Sequence, residues 1–146
     1  MKLLKLFSGA RLILQVMKAE NAVCQEKYDH AELIALGIVP FNSSNRARKN
    51  LILAEIFFSR KDFEQAKIKY EFCIDDLIEA VERKQINSNR AEYLKAYALS
   101  NLLWIHNNIS QRDGKYTELL LKPVNTEKIS RRLKLIYPVE CLPKFS

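Results

Sequence analysis

The sequence predicts an all-α fold, and three observations carry that expectation. Glycine and proline are scarce, at three and four residues. Apolar residues recur at three- and four-residue intervals along most of the chain, which builds one apolar face on a helix. Several polar breaks offer a capping residue with Glu or Gln three positions later, a helix-start signature. Strand-and-turn architectures depend on frequent tight turns and so on more glycine and proline than this. At 146 residues the chain reads as a single helical domain, 1–146, large enough to bury a core without disulfide or metal staples.

The first helix is expected over 10–27, where Leu12, Val16, Ala19 and Val23 share a face. After the break "KYD", Asp29 with Glu32 can cap a second helix that runs toward Gly37 and stops before Pro40. "PFNSSNR" is a loop in which Ser43, Ser44 or Asn45 can cap the next helix, 46–59, whose stripe is Leu51, Ala54, Phe57 and Phe58. "SRKD" turns the chain, and Asp62 with Gln65 repeats the capping pattern. The helix that follows, to about Lys84, carries Phe63, Ala66, Tyr70, Cys73, Ile74, Leu77 and Val81.

"QINSN" is the next loop, and Asn89 with Glu92 caps a long helix, 90–109, which holds Leu94, Tyr97, Ala98 and the single Trp104. A short helix at 115–122, ended by Pro123, and a last one at 126–137 with Ile129, Leu133 and Ile136 on one side bring the count to about seven helices. No segment reads as a strand. The units opened by Asp29, Asp62 and Asn89 suggest antiparallel hairpins stacked in an array. The first interval lies in the helical-repeat range, and the second is shorter.

The formal net charge is +7, which favours acidic partners: an acidic protein face, nucleic acid or an anionic membrane. The charge is spread out, with Lys2, Lys5, Arg11 and Lys18 near the start, a cluster at Arg46, Arg48 and Lys49, and "KISRRLK" at 128–134. That last segment reads as a terminal helix covering the end of an array with its charges wet. Cys24, Cys73 and Cys141 are far apart, without a CxxC or Cys/His cluster, so no disulfide framework or zinc site is indicated. A reducing, cytoplasmic setting is the default, or an organelle if the basic, acid-free N-terminus acts as a presequence. Apolar runs fall far short of the roughly 20 residues needed to span a membrane.

Residues 47–80 resemble a tetratricopeptide repeat, a helix-turn-helix unit of roughly 34 residues. Leu53, Ala54 and Phe57 fall in the order of large, small and aromatic residues that the first helix of that family carries. Phe63, Ala66, Tyr70 and Cys73 fall on the aromatic and small positions of the second helix. "EKYDHAELIA" (26–35) resembles the same turn, with Tyr28 and Ala31 on the Phe63 and Ala66 positions, but its preceding helix lacks the large-small-aromatic set. Leucine replaces the small residue in "GKYTELLLKP", and Ile78 stands where a proline commonly closes a repeat. The resemblance implies a superhelix whose concave groove, lined by the first helix of each pair, takes a partner peptide. On that alignment Arg48, Leu51, Glu55 and Phe58 face the groove, and the long helix adds Lys95, Leu99 and Leu102. Leu51 and Glu55 stand where family members that grip a C-terminal carboxylate use lysine and asparagine, which speaks against that mode.

No catalytic constellation stands out. His30 and His106 are the only histidines and lie in no metal or nucleophile motif. Asp75, Asp76 and Glu79 in "IDDLIE" read as a solvated face or as members of i,i+4 pairs, with no cation near Asp76 on its own helix. "RDGK" (112–115) has one glycine, too few to cradle a phosphate. The expectation is therefore a non-enzymatic protein-binding module without metal or cofactor, an adaptor, a chaperone or a toxin-neutralising immunity protein. It would use Arg48, Leu51, Glu55, Phe58 and Lys95 on a protein or peptide partner, with an acidic one suiting the charge. The alternative class is a small basic nucleic-acid-associated protein. Oligomeric state is not legible.

Overall fold

The structure, a computed structural model, describes residues 2–113. Within them five helices follow in order: α1 (Lys2–Cys24), α2 (Tyr28–Leu36), α3 (Ser43–Ser59), α4 (Phe63–Glu82) and α5 (Ser88–Asp113). No strand occurs among the described residues, so the all-α class holds. The helices expected at 115–122 and 126–137, with the basic segment 128–134, lie outside the described residues. No described helix is long and apolar enough to cross a membrane.

Helix starts follow polar side chains, though not always the expected ones. Asp62 accepts a hydrogen bond from the Gln65 backbone N–H and caps α4 as the spacing predicts. Helix α3 is capped by Asn42, whose Oδ1 accepts from the Asn45 N–H at 2.9 Å, one residue before the three expected candidates. Asn87 Oδ1 likewise accepts from the Asn89 N–H, so α5 begins ahead of the predicted cap at Asn89. Asp29 does not cap α2. The helix starts at Tyr28, with Lys27 at the cap position, and the Asp29 carboxylate receives Arg60 instead. Helix α1 begins at Lys2 rather than at residue 10, because "KLLKLFSGA" contains no proline and the leucine- and lysine-rich run carries the helix through a single Gly9.

Three helices end in one way. The backbone N–H groups of Lys27, Asp62 and Gln85 reach back to the carbonyls of Ala22, Phe57 and Ala80, at 2.8, 2.9 and 2.8 Å. The residue before each, Glu26, Lys61 or Lys84, sits at positive φ, at 58°, 61° and 56°. This is the Schellman termination, normally built on glycine because a Cβ is strained there. Here long charged side chains occupy all three positions, near the stops expected from the polar breaks, although none of the three carries the usual glycine.

Helix α3 organises the packing. Its Ile52, Leu53 and Ile56 join Leu12, Val16, Ala19 and Ala22 of α1 and Ala31 and Ala35 of α2, with Ile38 beyond them, in one core. Its Ala54 meets Ala66 and Tyr70 of α4 and Ala98, Leu102 and Ile105 of α5 in a second. Its Ala47 meets Cys73, Leu77, Ala91 and Leu94 in a third. Ala54, Ala66 and Ala98 are completely buried, so the backbones can approach closely and the large side chains fill the flanks.

Two outcomes are expected. Ala66→Leu should overpack the α3–α4 contact and lower stability by about 1–3 kcal/mol, read from circular dichroism melts. Lys61→Gly should raise stability by about 0.5–1 kcal/mol, the relieved strain less the extra unfolded-state entropy of glycine. An unchanged or lower melting midpoint for Lys61→Gly would contradict the strained termination.

Candidate functional site

The stripe Arg48, Leu51, Glu55 and Phe58 lies along α3, where the alternation of small and large residues also forces α3 to meet its neighbours. Arg48 pairs with Glu20 of α1 at 2.6 Å, and its side chain is only 14% exposed. Leu51 is partly buried against the second and third cores. Phe58 stands edge-on to Phe63, Tyr70 and Trp104, with ring centroids 5.5, 6.5 and 5.1 Å away. Lys95 reaches Glu92 on its own helix at 3.5 Å. Leu99 is partly buried and Leu102 buried in the second core. The residues expected to line an open groove are thus engaged with neighbouring helices or residues of their own helix.

Glu55 is the clearest case. Its carboxylate sits where α3, α4 and α5 meet. The Tyr70 hydroxyl donates to Oε1 at 2.5 Å, the Tyr97 hydroxyl to Oε2 at 2.7 Å, and Asn101 Nδ2 to Oε1 at 2.8 Å. Asn101 Nδ2 also donates to the Tyr70 hydroxyl at 2.8 Å, which closes the network. Asn101 is fully buried, and its Oδ1 has no hydrogen-bond partner.

Loss of hydration pushes the Glu55 carboxyl up to about 7, against the opposing pull of its three donors. Burial, followed by the nearby Glu55 charge, raises the Tyr70 hydroxyl well above the usual range. Tyr28 of α2 is also raised, by burial first and then by Glu26 and Glu55. No motif marks this cluster, because its members are far apart in sequence and ordinary one by one.

Set against known proteins, the chain matches no family model, no curated protein and no solved structure. Geometry alone carries the functional reading.

The basic cluster at 46–49 is also spent on the fold. Arg46 Nε donates to Asp76 Oδ1 and its Nη2 to Glu79 Oε2, both at 2.8 Å, while Asn50 Nδ2 donates to Asp76 Oδ2 at 2.8 Å. Lys49 Nζ donates to the Ile38 carbonyl at 2.7 Å. The expectation of a solvated acidic face therefore fails at Asp76, which is buried and held by α3 across the hairpin. Gln85 Oε1 accepts from the Ser43 and Ser44 N–H groups and ties the end of α4 to the start of α3. Arg60 binds Asp29 at 2.7 Å and Glu32 at 2.5 Å, joining α3 to α2.

Among the described residues, no group of three or more His, Cys, Asp or Glu side chains could hold a metal ion. Cys73 is free and buried, and burial raises its thiol far from the reactive range. Several large apolar side chains are also left open. Leu33, Leu36, Val39 and Phe41, at the end of α2 and in the connection to α3, are 61–76% exposed. On α1, Ile13, Leu14 and Met17 are about half exposed. The sequence reading passed over these residues, several of which lie beside a buried apolar neighbour: Ile13 beside Leu12, Met17 beside Val16, Leu36 beside Ala35 and Val39 beside Ile38.

Asp76→Ala would strand the Asn50 amide and one face of Arg46. Stability should fall by about 1–3 kcal/mol. Urea unfolding would read this as a lower midpoint at an unchanged slope.

Proposed function

We propose that the chain is a non-enzymatic, tetratricopeptide-like protein-binding module, of the adaptor, chaperone-like or toxin-neutralising kind. It would engage its partner through the apolar end of α2 rather than through the stripe along α3. One observation carries this reading: four large apolar side chains within residues 33–41, those of Leu33, Leu36, Val39 and Phe41, stand open to solvent. Exposed apolar clusters of this kind mark contact surfaces for other macromolecules.

The repeat character rests on two matching hairpins. Glu26 and Lys61 terminate α1 and α3 at positive φ, and Tyr28 and Phe63 open the next helices. Ala31 and Ala66 follow at the same offset, both completely buried. The partner suited to this surface presents an apolar segment flanked by acidic side chains, which the net charge of +7 attracts.

The nucleic-acid alternative gains little from the described helices. Arg46, Arg48, Arg60 and Arg83 are all paired with carboxylates. Phosphate binding by a basic surface would show steep salt dependence.

Affinity capture from the native source, followed by titration of the recovered protein, tests the proposal. Leu33→Asp with Leu36→Asp should weaken that binding at least about tenfold, while the thermal midpoint stays close to that of the parent because both side chains are exposed. Unchanged affinity in the folded double variant would remove the α2 surface. Recovery of RNA or DNA, released steeply by salt, would favour the alternative class.

A further inference from the structure

The polar junction around Glu55 has features that simple helix packing does not require. Its carboxylate is enclosed by side chains from two other helices, and every direct donor to it is neutral: Tyr70 from α4, and Tyr97 and Asn101 from α5. The titratable groups facing it are Tyr70 and Cys73 from α4, Tyr97 from α5 and Tyr28 from α2. None of these is a cation.

The charged state therefore carries two costs together. A carboxylate is held out of water without an opposite charge, and the Asn101 amide oxygen beside it has no donor. A proton taken from solvent onto Oε1 removes the first cost.

We infer that Glu55 is a proton-operated clasp, in which protonation of its carboxyl tightens α5 against the α3–α4 hairpin and deprotonation loosens it. The direction follows from linkage. The folded-state carboxyl is raised from the usual 4.5 to about 7. Between those values the folded protein binds more protons than the unfolded chain, so stability is greatest at the acidic end and falls as pH rises through the window. Above pH 7 both states are ionised and the dependence levels off.

The protein contains its own reporter. Trp104, the only tryptophan, projects from α5 and packs on Phe58 of α3 and Phe63 of α4, at 5.1 and 5.5 Å. Its emission reads the docking of α5. In the full chain between pH 5 and 8, Trp104 emission should follow a single-proton transition with a midpoint near 7. The folding equilibrium constant should fall over the same range by on the order of a hundredfold.

Glu55→Gln keeps the size and an acceptor oxygen but cannot ionise. Both pH dependences should disappear in it, and its stability at pH 8 should match or exceed that of the parent. His30→Asn with His106→Asn, which removes both histidines, should leave the transition in place. Tyr97→Phe removes one donor to the carboxylate and should move the midpoint upward, which keeps a test available if Glu55→Gln fails to fold. Persistence of the transition in folded Glu55→Gln would overturn the clasp, as would its loss in the histidine double variant. A flat titration in the parent, or an unmoved midpoint in Tyr97→Phe, would overturn it equally.

Discussion

Helix α3 has to satisfy neighbours on two sides at once, and the surrounding arrangement follows from that constraint. Ile52, Leu53 and Ile56 commit one side to α1 and α2, while Ala47 and Ala54 commit the other to α4 and α5. A helix apolar on two sides has little surface left for solvent. The polar residues between those sides must then find partners on neighbouring helices. Arg48 finds Glu20, Arg46 and Asn50 find Asp76, and Glu55 finds two tyrosines and an asparagine.

Those solutions differ in kind. Asp76 is buried but is met by a half-exposed guanidinium, so an opposite charge offsets part of the hydration its carboxylate loses. Glu55 is met only by dipoles. Three short hydrogen bonds offset part of the lost hydration, and the raised carboxyl shows that they do not offset all of it. What the arrangement supplies is register. Tyr97 and Asn101 lie one turn apart on α5, and sliding α5 by a turn would leave the carboxylate buried with fewer donors, a costly state. The small contacts around Ala54, Ala66 and Ala98 allow close approach but select one position weakly. The polar network selects it strongly.

Much of the architecture was legible in the sequence, and the parts that were not share a cause. Helical spacing located α2 through α5 to within a few residues, and the Asp62–Gln65 cap was readable because both halves lie in one turn. The caps at Asn42 and Asn87 were displaced because neighbouring serine and asparagine residues offer equivalent chemistry. The helix ends before Glu26, Lys61 and Lys84 were placed to within a few residues, but their positive-φ geometry was not legible because glycine is the usual signal for it. For Asp76 the sequence showed charge on a helix, whose usual meaning is a solvated face, and Glu55 was placed on a partner-binding groove by the repeat alignment. Their partners lie on other helices, and only the packed structure brings them together.

The same reasoning changes what the net charge of +7 means. A formal excess of lysine and arginine attracts an acidic partner only where the cations are free on one surface. Arg46, Arg48, Lys49 and Arg60 instead join helices to one another, so the local cluster in the sequence becomes a set of internal ties. The charge remaining elsewhere acts as a diffuse attraction that raises encounter rates without choosing a site. Choice falls to features that water disfavours leaving open, and among the described residues Leu33, Leu36, Val39 and Phe41 are the most exposed of these. Their position at one helix end, next to the connection that leads into α3, puts any contact made there directly beside the helix on which both sides of the fold are built.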